Sequence, residues 1–106
     1  MVASKYKIKI TPKASNDLNE IYDYITNVLF NVKAAGKLMD DIEFKIMRLG
    51  DFPLSCSLVN DEILKRKGYR KLIVENYIVF YLVDDIGKQV VIMRVLFGRQ
   101  HYEELI

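Results

Sequence analysis

The sequence predicts an α+β fold of order β-α-α-β-β-β, in which a helical hairpin packs on one face of a small, mostly antiparallel sheet. Three observations predict it. "KYKIKI" (5–10) alternates lysine with apolar residues. Residues 12–49 then carry apolar residues at three- and four-residue steps. The C-terminal half holds three runs of strand formers, "YRKLIV", "YIVFYLV" and "QVVIMRVLF", separated by turn signals.

Period-two alternation with one apolar face marks a half-buried first strand near a sheet edge, where lysines also discourage aggregation. "TP" stops it: Thr11 can cap a helix whose first position is Pro12, where a missing N–H costs nothing. The first helix is expected over 12–30, with Leu18, Ile21, Tyr22, Ile25, Val28 and Leu29 in one stripe. A second follows at about 32–49, with Ala35, Leu38, Met39, Ile42, Ile46 and Leu49 on one face. Asn31 is the joint, and Gly50 followed by "DFP" ends the second helix. So short a link predicts an antiparallel hairpin. A polar loop is expected over 51–67, and Glu75–Asn76 is read as a two-residue turn, with Asn tolerating positive φ.

A chain of 106 residues fits a single domain, 1–106, large enough for a real core. Apolar residues make up 51% and charged residues 28%, a globular balance, and no apolar run approaches the ~18–20 residues of a bilayer span. The N-terminus lacks the apolar stretch of a signal peptide, so a cytoplasmic protein is expected, with no membrane partner. The single Cys56 excludes an internal disulfide and a cysteine-rich metal site, and nothing points to a metal or a cofactor. The net charge of +2 is unevenly spread. Residues 13–51 hold five basic against seven acidic side chains, leaving an excess of +4 elsewhere. That asymmetry hints at a polyanionic partner.

Strand register can be set out from the turns. Pairing 74 with 77 places 72 opposite 79 and 70 opposite 81. Pairing 83 with 88 places 79 opposite 92 and 77 opposite 94. One face then carries Tyr69, Lys71, Ile73, Ile78, Phe80, Leu82, Val91, Met93, Val95 and Phe97, and is expected to lie under the helices. The other carries Arg70, Leu72, Tyr77, Val79, Tyr81, Ile92 and Arg94. With Arg70 opposite Tyr81 and Arg94 opposite Tyr77, this uncovered face pairs guanidinium forks with stacking rings, a surface for phosphate and bases. Tyrosines simply capping a solvated face is the alternative. A basic loop, Lys65, Arg66 and Lys67, feeds the first of these strands. The chain closes with "FGRQHYEELI", placing Arg99, the only histidine, His101, and Tyr102 near Arg94.

The ordered set "DLNEIYDYI", "LGDFP", "YRKLIV", "NYIVFYLVDD" and "VVIMRVLFGRQHYEEL" resembles the RelE/ParE superfamily of type II toxin–antitoxin toxins over nearly the whole chain. The resemblance implies a cognate antitoxin that lays a helix or strand along the helical hairpin or a sheet edge. Phe30, at the interhelical turn, is read as a core residue, with antitoxin contact as the alternative. RelE- and YoeB-like members cleave mRNA on the ribosome without metal, attacking through the 2′-hydroxyl. "RQHY" matches the closing Arg-x-His-Tyr of YoeB-like toxins. That match implies phosphate binding by Arg99, general acid action by His101, and positioning by Tyr102. The leading expectation is therefore a ribosome-dependent mRNA endoribonuclease. One departure stands against it: Ile78 occupies the place where those nucleases carry an arginine. ParE-like members inhibit DNA gyrase and cleave no RNA, and many superfamily tails read Gly-Arg-Arg-Asp-Tyr. A ParE-like gyrase inhibitor, a degenerate antitoxin-binding member and an unrelated RNA-binding domain are the alternatives.

Overall fold

The computed structural model describes residues 5–98 and 104–106. Seven elements follow in order: β1 (Lys7–Ile10), α1 (Pro12–Asn27), α2 (Val32–Arg48), α3 (Glu62–Arg66), β2 (Arg70–Val74), β3 (Tyr77–Asp84) and β4 (Gln89–Phe97). The four strands form one sheet ordered β1-β4-β3-β2, antiparallel except for the parallel β1–β4 pair.

The caps fall where the sequence places them. Thr11 Oγ1 accepts the Ala14 N–H at 3.1 Å, and Pro12 opens α1. Asn31 Oδ1 accepts the Ala34 N–H at 3.1 Å and starts α2. Between the helices the chain passes through Phe30 at φ 52°, and the ring stands 84% exposed. The core reading of Phe30 is therefore wrong. A left-handed turn throws its side chain outward, and α1 ends at Asn27 with Val28 and Leu29 also exposed. The expected loop over 51–67 holds α3, capped by Asp61 Oδ1 on the Leu64 N–H at 3.0 Å.

β2 and β3 pair in the expected register, Arg70 opposite Tyr81 and Val74 opposite Tyr77, although the positive φ of the turn falls on Glu75. The β3–β4 register differs. Asp84 pairs with Gln89, so four residues make the turn, and Tyr77 faces Phe97 rather than Arg94. A bulge then intervenes: Tyr81 pairs with Ile92 but Phe80 with Arg94, leaving Met93 as the extra residue.

The bulge moves Arg94 to the Phe80 side and Val95 to the Val79 side, and, independently of register, the hairpin covers the face expected to stay open. Leu72, Val74, Tyr77, Val79, Tyr81, Val90, Ile92 and Val95 pack with Ile25, Leu38, Ile42 and Ile46 of the hairpin. Tyr69, Ile78, Phe80, Leu82, Met93 and Leu96 lie on the other face, covered by Val59, Leu64 of α3 and Ile106. The sheet is thus a middle layer. Among the described residues no helix is long and apolar enough to cross a membrane.

Candidate functional site

β1 ends at Ile10, five residues before its neighbour β4 does. At that point Thr11 donates its N–H to Ile92 O (3.1 Å) and its hydroxyl to Met93 O (3.1 Å), and the chain turns into α1. The rest of β4 would present an unpaired buried edge, which costs free energy unless satisfied. Asp17 satisfies it. Its Oδ2 accepts the Val95 N–H at 3.0 Å and the Arg94 Nε–H at 2.7 Å, while Oδ1 accepts from Arg94 Nη2 at 2.9 Å. Arg94 Nη1 donates to Leu105 O at 2.5 Å, so all three guanidinium nitrogens are engaged. The Asp17 hydrogen bond pushes the Arg94 pKa up, against the opposing effect of desolvation.

Beside this pair opens a cleft of about 620 Å³, lined by Asp17, Glu20, Ile21, Tyr24, Tyr77, Arg94, Phe97 and Leu105. Tyr77 meets Phe97 edge-on at 5.6 Å, and burial raises its hydroxyl pKa. The lining is mainly apolar, with carboxylates at one side and a cation already neutralised. Such a cleft suits an apolar peptide segment better than a phosphate.

The open Arg/Tyr face expected from the sequence is not formed. Tyr81 is fully buried in the helix-side core, its hydroxyl donating to Pro53 O at 3.0 Å, and its pKa is driven up chiefly by burial. Arg70 turns its Nη1 onto Cys56 O at 2.6 Å. Tyr77 is half-buried against the hairpin, and Arg94 is locked to Asp17. For Arg70, Tyr77 and Tyr81 the cause is the same: the hairpin covers the face on which alternation had placed them, while the bulge carries Arg94 to the Phe80 side, from where it reaches Asp17 at the sheet edge. Ile78 packs with the α3-side cluster. Lys65, Arg66 and Lys67 are exposed on and just after α3. Arg99, His101 and Tyr102 lie outside the described residues. The residues the sequence reading missed are Asp17 and Glu20. Asp17 did carry a signal, since a carboxylate between Ala14, Leu18 and Ile21 sits on the inward side of α1.

The sequence profile described as "ParE toxin of type II toxin-antitoxin system, parDE" matches residues 8–102. No curated protein sequence matches the chain. A chain of the chromosomal ParDE toxin–antitoxin system from P. aeruginosa is similar in structure, with TM-score 0.72 and 27% identity, over 90% of this chain and 98% of that one. A chain of the toxin–antitoxin complex RelBE2 from Mycobacterium tuberculosis shares the fold, with TM-score 0.59 and 23% identity, over 88% of this chain and 98% of that one. With nearly its whole length matched and the β-α-α-α-β-β-β order in place, the chain belongs to the ParE toxin family of type II toxin–antitoxin systems.

Proposed function

We propose that this chain is a single-domain cytoplasmic toxin, restrained by a cognate antitoxin, that acts as a ParE-like inhibitor of DNA gyrase and does not cleave RNA. The observation that carries the reading is the commitment of Arg94. Transesterification without a metal needs cations free to take up the extra charge on the scissile phosphate. Arg94 instead spends its donors on Asp17 and Leu105, and Ile78 puts an apolar side chain where the resembled nucleases carry arginine. The similarity to a ParDE chain supports the same assignment.

The antitoxin's docking surface is the exposed apolar end of the hairpin, where Tyr24, Val28, Leu29, Phe30 and Val32 are each more than half exposed. Together with the adjacent cleft, it offers an amphipathic segment a continuous apolar track.

One observation favours a second reading, ribosome-dependent mRNA cleavage. The "RQHY" run of 99–102 holds the Arg, His and Tyr that such chemistry uses. Expression of wild type and His101→Ala in a bacterium without the antitoxin separates the two. The gyrase reading expects filamentation, DNA-damage signalling and intact mRNA with both proteins, and inhibited supercoiling by purified gyrase. Ribosome-phased mRNA cuts that vanish in His101→Ala would overturn it in favour of the nuclease.

A further inference from the structure

The charge of this molecule is unevenly divided between its two broad sides. The hairpin side is close to balance, its exposed Asp23, Asp40 and Glu43 offset by exposed Lys33, Lys37 and Lys45. The opposite side collects cations from separate parts of the chain. Ile8 pairs with Val90 and packs into the helix-side core, so Lys7 and Lys9 alternate to the α3 side. Lys71 pairs with Phe80, which lies in the α3-side cluster, and shares that face. α3 itself, seated there through buried Leu64, brings Lys65, Arg66 and Lys67. Carboxylates are fewer. Asp61 is turned onto the Leu64 N–H, Glu62 stands 4.0 Å from Arg66, Asp84 follows Phe80 and Leu82 on this face and accepts the Gly87 N–H, and Glu104 is exposed on the tail.

We infer that this α3-side face is a docking surface for the phosphodiester backbone of duplex DNA. Three features select the duplex. Cations spread over a broad face match a regular array of backbone phosphates. The molecule is a slab of 43 × 39 × 21 Å, so its broad side spans about one helical turn, ~34–36 Å. Single strands are bound through exposed aromatic platforms, and this face offers none among the described residues. Tyr69 and Phe80 are buried, exposed Tyr22, Tyr24, Phe30 and Phe44 belong to the hairpin, Phe52 lies beside Arg48 of α2, and Phe97 shares the hairpin-side face of its partner Tyr77. The inference deepens the gyrase reading, since gyrase holds duplex DNA. The toxin would then contact the DNA with its cationic side and keep its charge-balanced hairpin turned away.

The test needs no gyrase, so its failure is separate from failure of the gyrase reading, which is scored by supercoiling. Binding of the full chain to a duplex about two helical turns long, and to single-stranded DNA and RNA of the same length, is followed by fluorescence anisotropy across a salt series. Lys65→Gln/Arg66→Gln/Lys67→Gln and, separately, Lys7→Gln/Lys9→Gln are compared with a hairpin control, Lys33→Gln/Lys37→Gln/Lys45→Gln. The expected result is duplex binding weakened about tenfold by the α3 triple, with the salt slope reduced by roughly two to three. The β1 double moves both in the same direction, and the hairpin control leaves both unchanged. Equal losses in the α3 triple and the hairpin control would reduce the effect to net charge and overturn the inference. So would tighter binding to either single strand than to the duplex, or no salt-dependent binding at all.

Discussion

Asp17 and Arg94, 77 positions apart, form a bidentate ion pair in which Nε meets Oδ2 at 2.7 Å and Nη2 meets Oδ1 at 2.9 Å. The side chains are only 8% and 17% exposed. The same carboxylate holds the Val95 N–H, so one aspartate on α1 both neutralises the strand's arginine and closes its open edge. This is the join between the hairpin and the part of the sheet that β1 does not reach.

Removing either partner leaves a different deficit. Asp17→Ala strands a half-desolvated guanidinium and an unpaired N–H, and is expected to cost about 3–5 kcal/mol in urea unfolding. Arg94→Met is expected to cost less, because Asp17 keeps the Val95 N–H. Equal costs for the two variants would show that the Val95 hydrogen bond contributes nothing, and that edge closure is not what Asp17 does.

Thr11 ends β1 and begins α1 with one hydroxyl, which accepts from Ala14 N and donates to Met93 O. Thr11→Ala is expected to cost about 1–2 kcal/mol, towards the upper end of the usual capping range. Thr11→Ser keeps both bonds and should recover most of it. Failure of the serine variant to do so would mean that the methyl group's packing, rather than the hydroxyl, carries the effect.

These caps were legible in the sequence because capping is local chemistry: "TP" and the Asn31 joint name their own positions. The β2–β3 pairing was legible for the same reason, a two-residue turn leaving little freedom. The β3–β4 register was not. The expected and observed turns are both four residues long, 84–87 against 85–88, so the pairing slides by two where alternation reads the same on either setting, and the Met93 bulge shifts it again inside the strand. Nor could alternation choose the face for the hairpin. "YIVFYLV" is apolar on both sides because both sides are covered, one by α1 and α2 and the other by α3, Val59 and Ile106. A five-residue helix is too short to show a period, so the cover on the second face stayed invisible. The Asp17–Arg94 pair, which depends on that register, could not be read before it.

Phe30 sits in a left-handed conformation that costs a bulky side chain about 1 kcal/mol or more, and its exposed ring regains little of that in the isolated toxin. Phe30→Asn is expected to stabilise the free chain by about 0.5–1 kcal/mol, since asparagine tolerates this region. In the complex it should weaken antitoxin binding at least tenfold, because an aromatic anchor is lost. Thermal denaturation of the toxin alone and titration with the antitoxin read the two effects separately. Unchanged antitoxin affinity would remove Phe30 from the docking surface.

Burial raises the pKa of Tyr81, and to a smaller degree those of Tyr69 and Tyr77, above the ordinary tyrosine value of 10.0. A raised folded-state pKa means that the folded chain keeps protons which the unfolded chain releases. The stability these groups contribute is therefore whole below pH about 10 and declines as pH rises beyond it. Melting temperature should be level from pH 7 to about 9.5 and then fall steeply, with the last tyrosine absorbance change coinciding with loss of helical circular dichroism. Tyr81→Phe gives up the hydrogen bond to Pro53 O, at a cost of about 1 kcal/mol near neutrality, but should flatten the alkaline fall. If Tyr81→Phe declined with pH as steeply as the wild type, the buried hydroxyl would not be the group that sets the alkaline limit.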